Sequence, residues 1–454
     1  MRQVLQELPE TLDETYERIL KEINRANREH AHRLLQCLTV AVRPLRVAEL
    51  AEVLAIDFGM AVGTDTSKLN TDWRWEDQED AVLSTCSSLI MVVEEDGDQV
   101  VQFSHFSVKE FLTSPRLAVS SAGVSRFHIL LEPAHTILAN VCLGVLLRLG
   151  DSDSVDEQTT ERAAFPLAQY AAKHWTNHAQ FENVSSSLWE EMEILFNPDK
   201  PYFSAWIRAH DIDVEPTPSA TLWYFAPYGK STATPLYYAS LCGFYDLAKH
   251  LISNCSQQVN AEGGHYVSPL VAALQMKDFK MAQLLYEHGA AVDVEGYHKR
   301  PPLYGASCSG HLEIAEWLLH HGASPIGVDQ VDGQTVLHEA AINGRLELLQ
   351  MVLQHKADPS IQDLSGKTPL HVASRSERPD IVRTLLEYGA DVNIRDEECV
   401  TPLHVASMYG ILVIARLLVE HGANVDAEDN KGRTPFQVAS GSDMVDFLSD
   451  QGSK

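Results

Sequence analysis

The chain has 454 residues, 45% of them apolar, with 63 Asp and Glu against 35 Lys and Arg and a formal net charge of −28. That length holds two or three domains with ample core, and the acidic balance argues against a general nucleic-acid or anionic-membrane binder and for partners with basic patches. The seven cysteines show no CxxC and no paired spacing, which fits reduced, buried thiols in a cytoplasmic protein, with the nucleus as the alternative compartment.

Residues 1–30 open on a helix. Leu8-Pro9-Glu10-Thr11 sets its start, and Leu12, Tyr16, Ile19, Leu20 and Ile23 follow helical spacing. Over residues 31–120 the spacing predicts helices at Ala31–Val42 and Val47–Ile56, separated by Arg43-Pro44-Leu45. A polar loop with Trp73 and Trp75 follows, then a short helix at Ala81–Ser88. Leu89–Val93 and Gln99–Phe103 read as strands joined at Asp96-Gly97, a hairpin signal. Three helices followed by a hairpin make a winged helix, closed by a helix from His105 to Leu112.

The strings LPETLDETYERIL, RPLRVAELAEVLAID and HFSVKEFL resemble the segment that follows the NACHT nucleotide-binding domain in fungal, ankyrin-bearing STAND signal-transduction proteins. The resemblance covers about 110 residues and implies a regulatory hinge between an ATPase and a ligand-sensing array. That family's nucleotide chemistry lies upstream of the hinge, so this stretch reads as part of a longer product.

Residues 121–215 read as a helical bridge, with helices at Phe127–Arg148, Phe165–His174 and Leu188–Phe196 and an acidic break at Gly150–Ser154. Ile137–Leu147 is the most apolar run, ends at Arg148 short of a membrane span, and reads as a core helix. FPLAQYAAKHW is similar to the same family's bridge into its repeats. Asn183-Val184-Ser185 and Asn254-Cys255-Ser256 fit a glycosylation sequon, but no secretory signal precedes them. Asp211–Ser219, with Pro216 and Pro218, is the expected linker.

From 225 to 454 the chain repeats itself. Thr368-Pro369-Leu370-His371 returns as Thr401-Pro402-Leu403-His404, 33 residues on, and the register runs through Thr234, Ser268, Pro301, Thr335, Thr368, Thr401 and Thr434. Thr caps a helix whose first turn holds Pro. Gly389 and its equivalents end the second helix of each unit. Lys356 stands in that glycine's place in the fourth unit, so its second helix is expected to end less cleanly. The seventh unit, Thr434–Gly452, is about three residues short. Thr-Pro-Leu-His-x-Ala at this period resembles the ankyrin repeat. The expected fold is therefore mainly α: a seven-unit solenoid behind a winged helix and a helical bridge.

Several strings suggest chemistry and yield to simpler readings. Gly229-Lys230-Ser231-Thr232 ends like a phosphate-binding loop, but Tyr224 occupies the position of the required glycine. Residues 1–120 carry twelve Lys and Arg against 21 Asp and Glu, and the would-be recognition helix Asp80–Leu89 has no cation for a DNA backbone. His338, His371 and His404 recur one per unit and read as hydrogen bonds from helix start to neighbouring hairpin, not as metal ligands. Ser104, His105 and Ser107 lack a triad's separation, and Glu94, Glu95, Asp96 and Asp98 read as a solvated turn.

What remains is surface. The ankyrin resemblance implies a concave face built from hairpin tips and the ends of first helices. Mapped unit by unit, the tips are Tyr297, His298, Arg300, Gln334, Leu364, Lys367, Glu398, Val400 and Arg433, and the helix ends are Ile342, Asn343, Arg375, Ser376, Met408 and Tyr409. Aromatic, Met and Arg side chains in such places favour a protein interface. The reading is a non-enzymatic interaction scaffold or sensor that binds a protein, with no cofactor, metal, nucleic acid, membrane or small-molecule substrate. The alternatives are a subunit or fragment of an active NACHT NTPase switch, and a winged-helix DNA-binding regulator.

Overall fold

The computed structural model describes residues 10–55, 82–83, 85–86, 88–95, 97–151, 165–213, 233–254, 258–294, 300–329 and 331–452. Trp73 and Trp75, the Gly229–Thr232 string, the linker from residue 214 and residues 80, 81, 84 and 87 of the expected Asp80–Leu89 helix lie outside the described residues; residues 82, 83, 85 and 86 are helical. Contacts divide the chain into two units, Met1–Glu215 with Asp246–His250, and Pro216–Tyr245 with Leu251–Lys454.

The first unit opens with α1 (Glu10–Glu22), α2 (Arg28–Val40) and α3 (Val47–Ala55). Its sheet has three antiparallel strands in the order β1-β3-β2: β1 (Leu45–Arg46), β2 (Ile90–Glu95) and β3 (Asp98–Phe103). The hairpin falls where the Asp96-Gly97 signal places it, with Glu95 paired to Asp98. The two-residue β1, paired through Leu45 with Val101 and Arg46 with Val100, lies where the spacing shows only the separator Arg43-Pro44-Leu45 between two helices. Two residues are too few to show a period of two. Arg43 anchors this corner: its two terminal nitrogens meet both oxygens of the buried Glu49 at 2.8 and 2.6 Å, and the Arg46 amide donates to the same carboxylate. The Glu49 bonds raise the Arg43 pKa above its ordinary value.

The helix Phe106–Leu112 is capped by the His105 ring, whose Nδ1 accepts from the Ser107 amide. Ser107 Oγ lies 2.6 Å from that nitrogen and 2.8 Å from Tyr16 Oη, so the Ser–His contact exists. The hydroxyl is buried, and its neighbours are the cap ring and α1.

The bridge is organised on the 21-residue helix Leu131–Asp151. It extends beyond the apolar run on both sides and, by length and composition alone, is long enough to cross a membrane. Leu138, Val141, Cys142, Val145 and Leu146 are fully buried within the fold, where the helix packs on α2, Ala168–Ala179 and Tyr202–Ala209. Trp175, Trp206 and Phe196 pack beside it, and the Trp206 indole donates to the Ala172 carbonyl. The middle and last helices, Ala168–Ala179 and Trp189–Leu195, lie close to their expected places.

A hydrogen-bonded chain links the two halves of this unit. The Val42 amide donates to Tyr170 Oη at 3.2 Å, Tyr170 Oη lies 2.9 Å from His178 Nε2, and His178 Nδ1 lies 2.9 Å from His135 Nδ1. An amide can only donate, so the Tyr170 hydroxyl proton is free to point at His178 Nε2. His178 then carries its proton on Nδ1 and donates to His135. Burial, with His135 and His174 nearby, lowers the His178 pKa to about 3.

The second unit is a row of helix pairs. First helices begin after Thr234, Ser268, Pro301, Thr335, Thr368 and Thr401, as the register requires. They run seven or eight residues, and the second helices from Phe279 onward run nine. Helices this short are marginal alone, so their stability comes from stacking. Thr234, Ser268, Thr368 and Thr401 cap with their hydroxyls, whereas Pro301 has none to offer. In the seventh unit the first helix shrinks to a turn at 435–438, followed by Ser442–Gly452, which accounts for its missing residues.

One expectation fails. The fourth unit's second helix, Leu346–Gln354, ends as its neighbours do, because Lys356 itself adopts φ +66°, matching Gly289, Gly322, Gly389 and Gly422. Cys399 (φ +58°) likewise stands where Gly333, Gly366 and Gly432 turn the hairpin. At Lys356 the helix end itself sets the conformation, its amide donating to the Leu353 carbonyl and that of Ala357 to Val352, and a side chain with Cβ pays about 1–2 kcal/mol for it.

Lys356→Gly should raise the stability of the array by about 0.5–1 kcal/mol, the relief of strain less glycine's entropic cost. Lys356→Ala, which keeps a Cβ, should not; the midpoint of chemical denaturation reads the difference. His178, depressed in the fold, contributes stability that is fully present above its unfolded pKa of about 6.5 and is lost as pH falls toward 3. Melting of the first unit should therefore fall steadily below pH 6.5, and His178→Gln should flatten that slope.

Candidate protein-binding face of the repeat array

The exposed edge of the array is held by three sets of bonds, two of which cross from one layer to the next. The first is a histidine clamp. In each full motif the Thr amide donates to the ring Nδ1 of the His three residues on, at 3.1–3.2 Å. Nδ1 is thus an acceptor and the proton sits on Nε2. That N–H donates to a carbonyl 29 residues on: His338 to Lys367, His371 to Val400, His404 to Arg433, at 2.9–3.0 Å. Burial lowers all three pKa values, and the bond to the carbonyl partly offsets it. Both ring nitrogens are engaged, so these rings are structural. Tyr237 fills the same place in the first unit and reaches the same distance with reversed polarity, accepting from the Tyr266 amide.

The second set shapes the tips. Asp363 Oδ1 accepts from the Ser365 and Lys367 amides, Asp396 from Glu398 and Val400, and Asp429 from Lys431 and Arg433. The third set ties tip to tip: Leu364 N to Asp332 O, Glu397 N to Ser365 O and Asn430 N to Glu398 O. Each tip is thereby fixed by the one before it.

On this frame the expected site residues separate. Tyr297 and His298 lie outside the described residues. Val400 is buried, and its carbonyl holds His371, so its side chain is no contact surface. Arg300 is turned inward onto the buried Asp329 and over the Tyr304 ring. Arg433 is exposed but paired with Asp429 at 2.7 Å, and Gln334 is half-buried. The reason is common to the four: the residue before each capping Thr or Pro is the inner end of the hairpin. Lys367, in the same position, keeps its side chain exposed while its carbonyl serves the clamp.

The helix ends behave otherwise. Ile342, Arg375 and Met408 occupy one position in three successive first helices, and Asn343, Ser376 and Tyr409 the next. These helices pack side by side. Ile342, Met408 and Tyr409 are 41%, 44% and 50% exposed, unusually open for such side chains. Arg375 lies over the Tyr409 ring, 5.5 Å from its centroid. Asn343 donates to Glu339 Oε1 at 2.7 Å, and the half-buried Ser376 hydroxyl turns back to the Val372 carbonyl. Leu364 and Glu398 stand exposed at their tips. Sequence reasoning missed Val331, 64% exposed beside Leu364 at 65%. One 33-residue step back from Leu364 lands on it. Among the described residues no cluster of three or more His, Cys, Asp or Glu is placed to hold a metal.

Residues 236–329 and 324–396 match the family described as ankyrin repeats (3 copies), and residues 385–439 match ankyrin repeats (many copies). Residues 16–122 match the winged helix domain of GPI inositol-deacylase. A curated relative, the azaphilone pigments biosynthesis cluster protein L of Monascus ruber, is 33% identical over 299 residues, covering 63% of this chain. The chain spans 61% of that relative's length.

His371→Ala removes a buried acceptor and donor at the centre of the row and should cost the array about 1–3 kcal/mol. The Thr368 amide, left without its acceptor, should lose hydrogen-exchange protection, while the amides of the first unit keep theirs.

Proposed function

We propose, for a chain that carries ankyrin repeats behind a winged-helix domain, that it works as a non-enzymatic interaction scaffold whose repeat face binds another protein. The observation that supports this most is the row Ile342, Arg375, Met408 with Tyr409. It places open apolar and cationic side chains at one position of three packed helices, on a frame held by buried bonds. Such a surface binds without reorganising, so little of the contact energy is lost to ordering. Ankyrin repeats are protein-binding modules, which supports a protein as partner.

The same reading extends upstream. The winged helix is of a kind that accompanies NACHT domains, which supports a place in a STAND-type signalling protein, where occupancy of the face biases a nucleotide-driven switch. The cytoplasm is the compartment we propose. Among the described residues the cysteines form no disulfide, and Cys37, Cys86, Cys142 and Cys242 are buried, the state thiols keep in a reducing environment.

The test is capture by the full chain, wild type against the triple variant Arg375→Ala, Met408→Ala, Tyr409→Ala. The variant should melt as the wild type does and lose the captured protein. A control with Tyr388→Ala, outside the row, should retain it. Equal capture by wild type and triple variant would remove the site while leaving the fold intact.

A further inference from the structure

We propose that the Ile342–Arg375–Met408 row takes an apolar peptide segment bearing one carboxylate side chain, with Arg375 reading the acid. This rests on the binding face proposed above and names the chemistry of its partner.

The argument begins with the company Arg375 keeps. In a chain with 63 acidic residues, its guanidinium forms an ion pair with no carboxylate among the described residues. The two other arginines of the expected site are neutralised by hairpin aspartates, Arg300 by Asp329 and Arg433 by Asp429. The acid in the equivalent region of the preceding repeat, Glu339, is engaged by Asn343. Arg375 instead lies over Tyr409. A ring beneath a guanidinium attracts it without using its N–H donors, so the fork is still open.

Its setting selects what can answer it. Ile342 on one side and Met408 on the other are apolar and open, and an occupant that covers them excludes water from the cation between. A desolvated guanidinium must be paired, and a carboxylate matches its two parallel donors. A basic segment would bury like charges together. A doubly charged phosphate against one guanidinium would be left half compensated, with apolar neighbours on either side. A purely apolar segment would bury Arg375 unpaired, at the cost that attends any uncompensated charge. The pattern that fits is apolar, acidic, apolar.

The experiment selects from a displayed library of random 16-residue peptides on the full chain. Enriched peptides are synthesised and measured by fluorescence anisotropy against wild type, Arg375→Glu and the double variant Met408→Ala, Tyr409→Ala. The expected result is one Asp or Glu flanked by Leu, Ile, Met or Phe. Binding should weaken about tenfold or more in Arg375→Glu and recover when the peptide's acid is changed to Lys, the signature of a direct charge pair. Peptides that lose binding in the double variant yet bind Arg375→Glu unchanged would overturn the acid reading and leave the face standing. Peptides indifferent to all variants, or no enrichment, would overturn the face as well. Unchanged melting of Arg375→Glu, an exposed position, guards against a folding artefact.

Discussion

The array depends on one recurring bond, the imidazole N–H that reaches from the start of one helix pair to the hairpin of the next. His338, His371 and His404 each satisfy two backbone groups that stacking removes from water. An unpaired buried amide or carbonyl is expensive, so the bond sets the register between layers as much as it stabilises them. Helices of seven to nine residues have no means of persisting alone. Their hairpins are spaced by aspartate side chains and joined tip to tip, so the order of each layer is supplied by its neighbours.

The array tolerates strain at two of its turns. Lys356 and Cys399 hold left-handed backbone in places that elsewhere in the array belong to glycine. Each is held by its own turn, the Lys356 amide donating to the Leu353 carbonyl and the Cys399 amide to Asp396, so abandoning the unfavourable φ would break the bonds that close the helix end and the hairpin. The first unit follows the same logic with different groups. Arg43 and Glu49 secure the corner before β1, and the Tyr170–His178–His135 chain joins that corner to the bridge. Its direction follows from a single backbone amide, and burial keeps both rings neutral by lowering their pKa values.

The rigid frame also decides which side chains are available to a partner. Of the hairpin positions next to the clamp, Val400 is covered and Arg300 and Arg433 pair with aspartates, while Lys367 gives only its carbonyl and keeps its side chain exposed. Ile342, Met408 and Tyr409, at the ends of the first helices, make no such bonds and stay open, and Arg375 among them is exposed. The array therefore presents Ile342, Arg375, Met408 and Tyr409 as a surface whose composition can vary without loss of fold.

The period itself was legible: helix starts, glycine turns and the structural role of the three histidines follow from local rules repeated at 33 residues. So were the wing hairpin and the core helix of the bridge. The two-residue β1 was not, because pairing with β3 creates it. Nor was the clean helix end before Lys356, nor the burial of Val400 and the neutralisation of Arg300. Sequence determines which residues stand at equivalent positions, since capping and periodicity act over a few residues. Which of those equivalents face water was decided only by tertiary structure, because exposure depends on partners some thirty residues away.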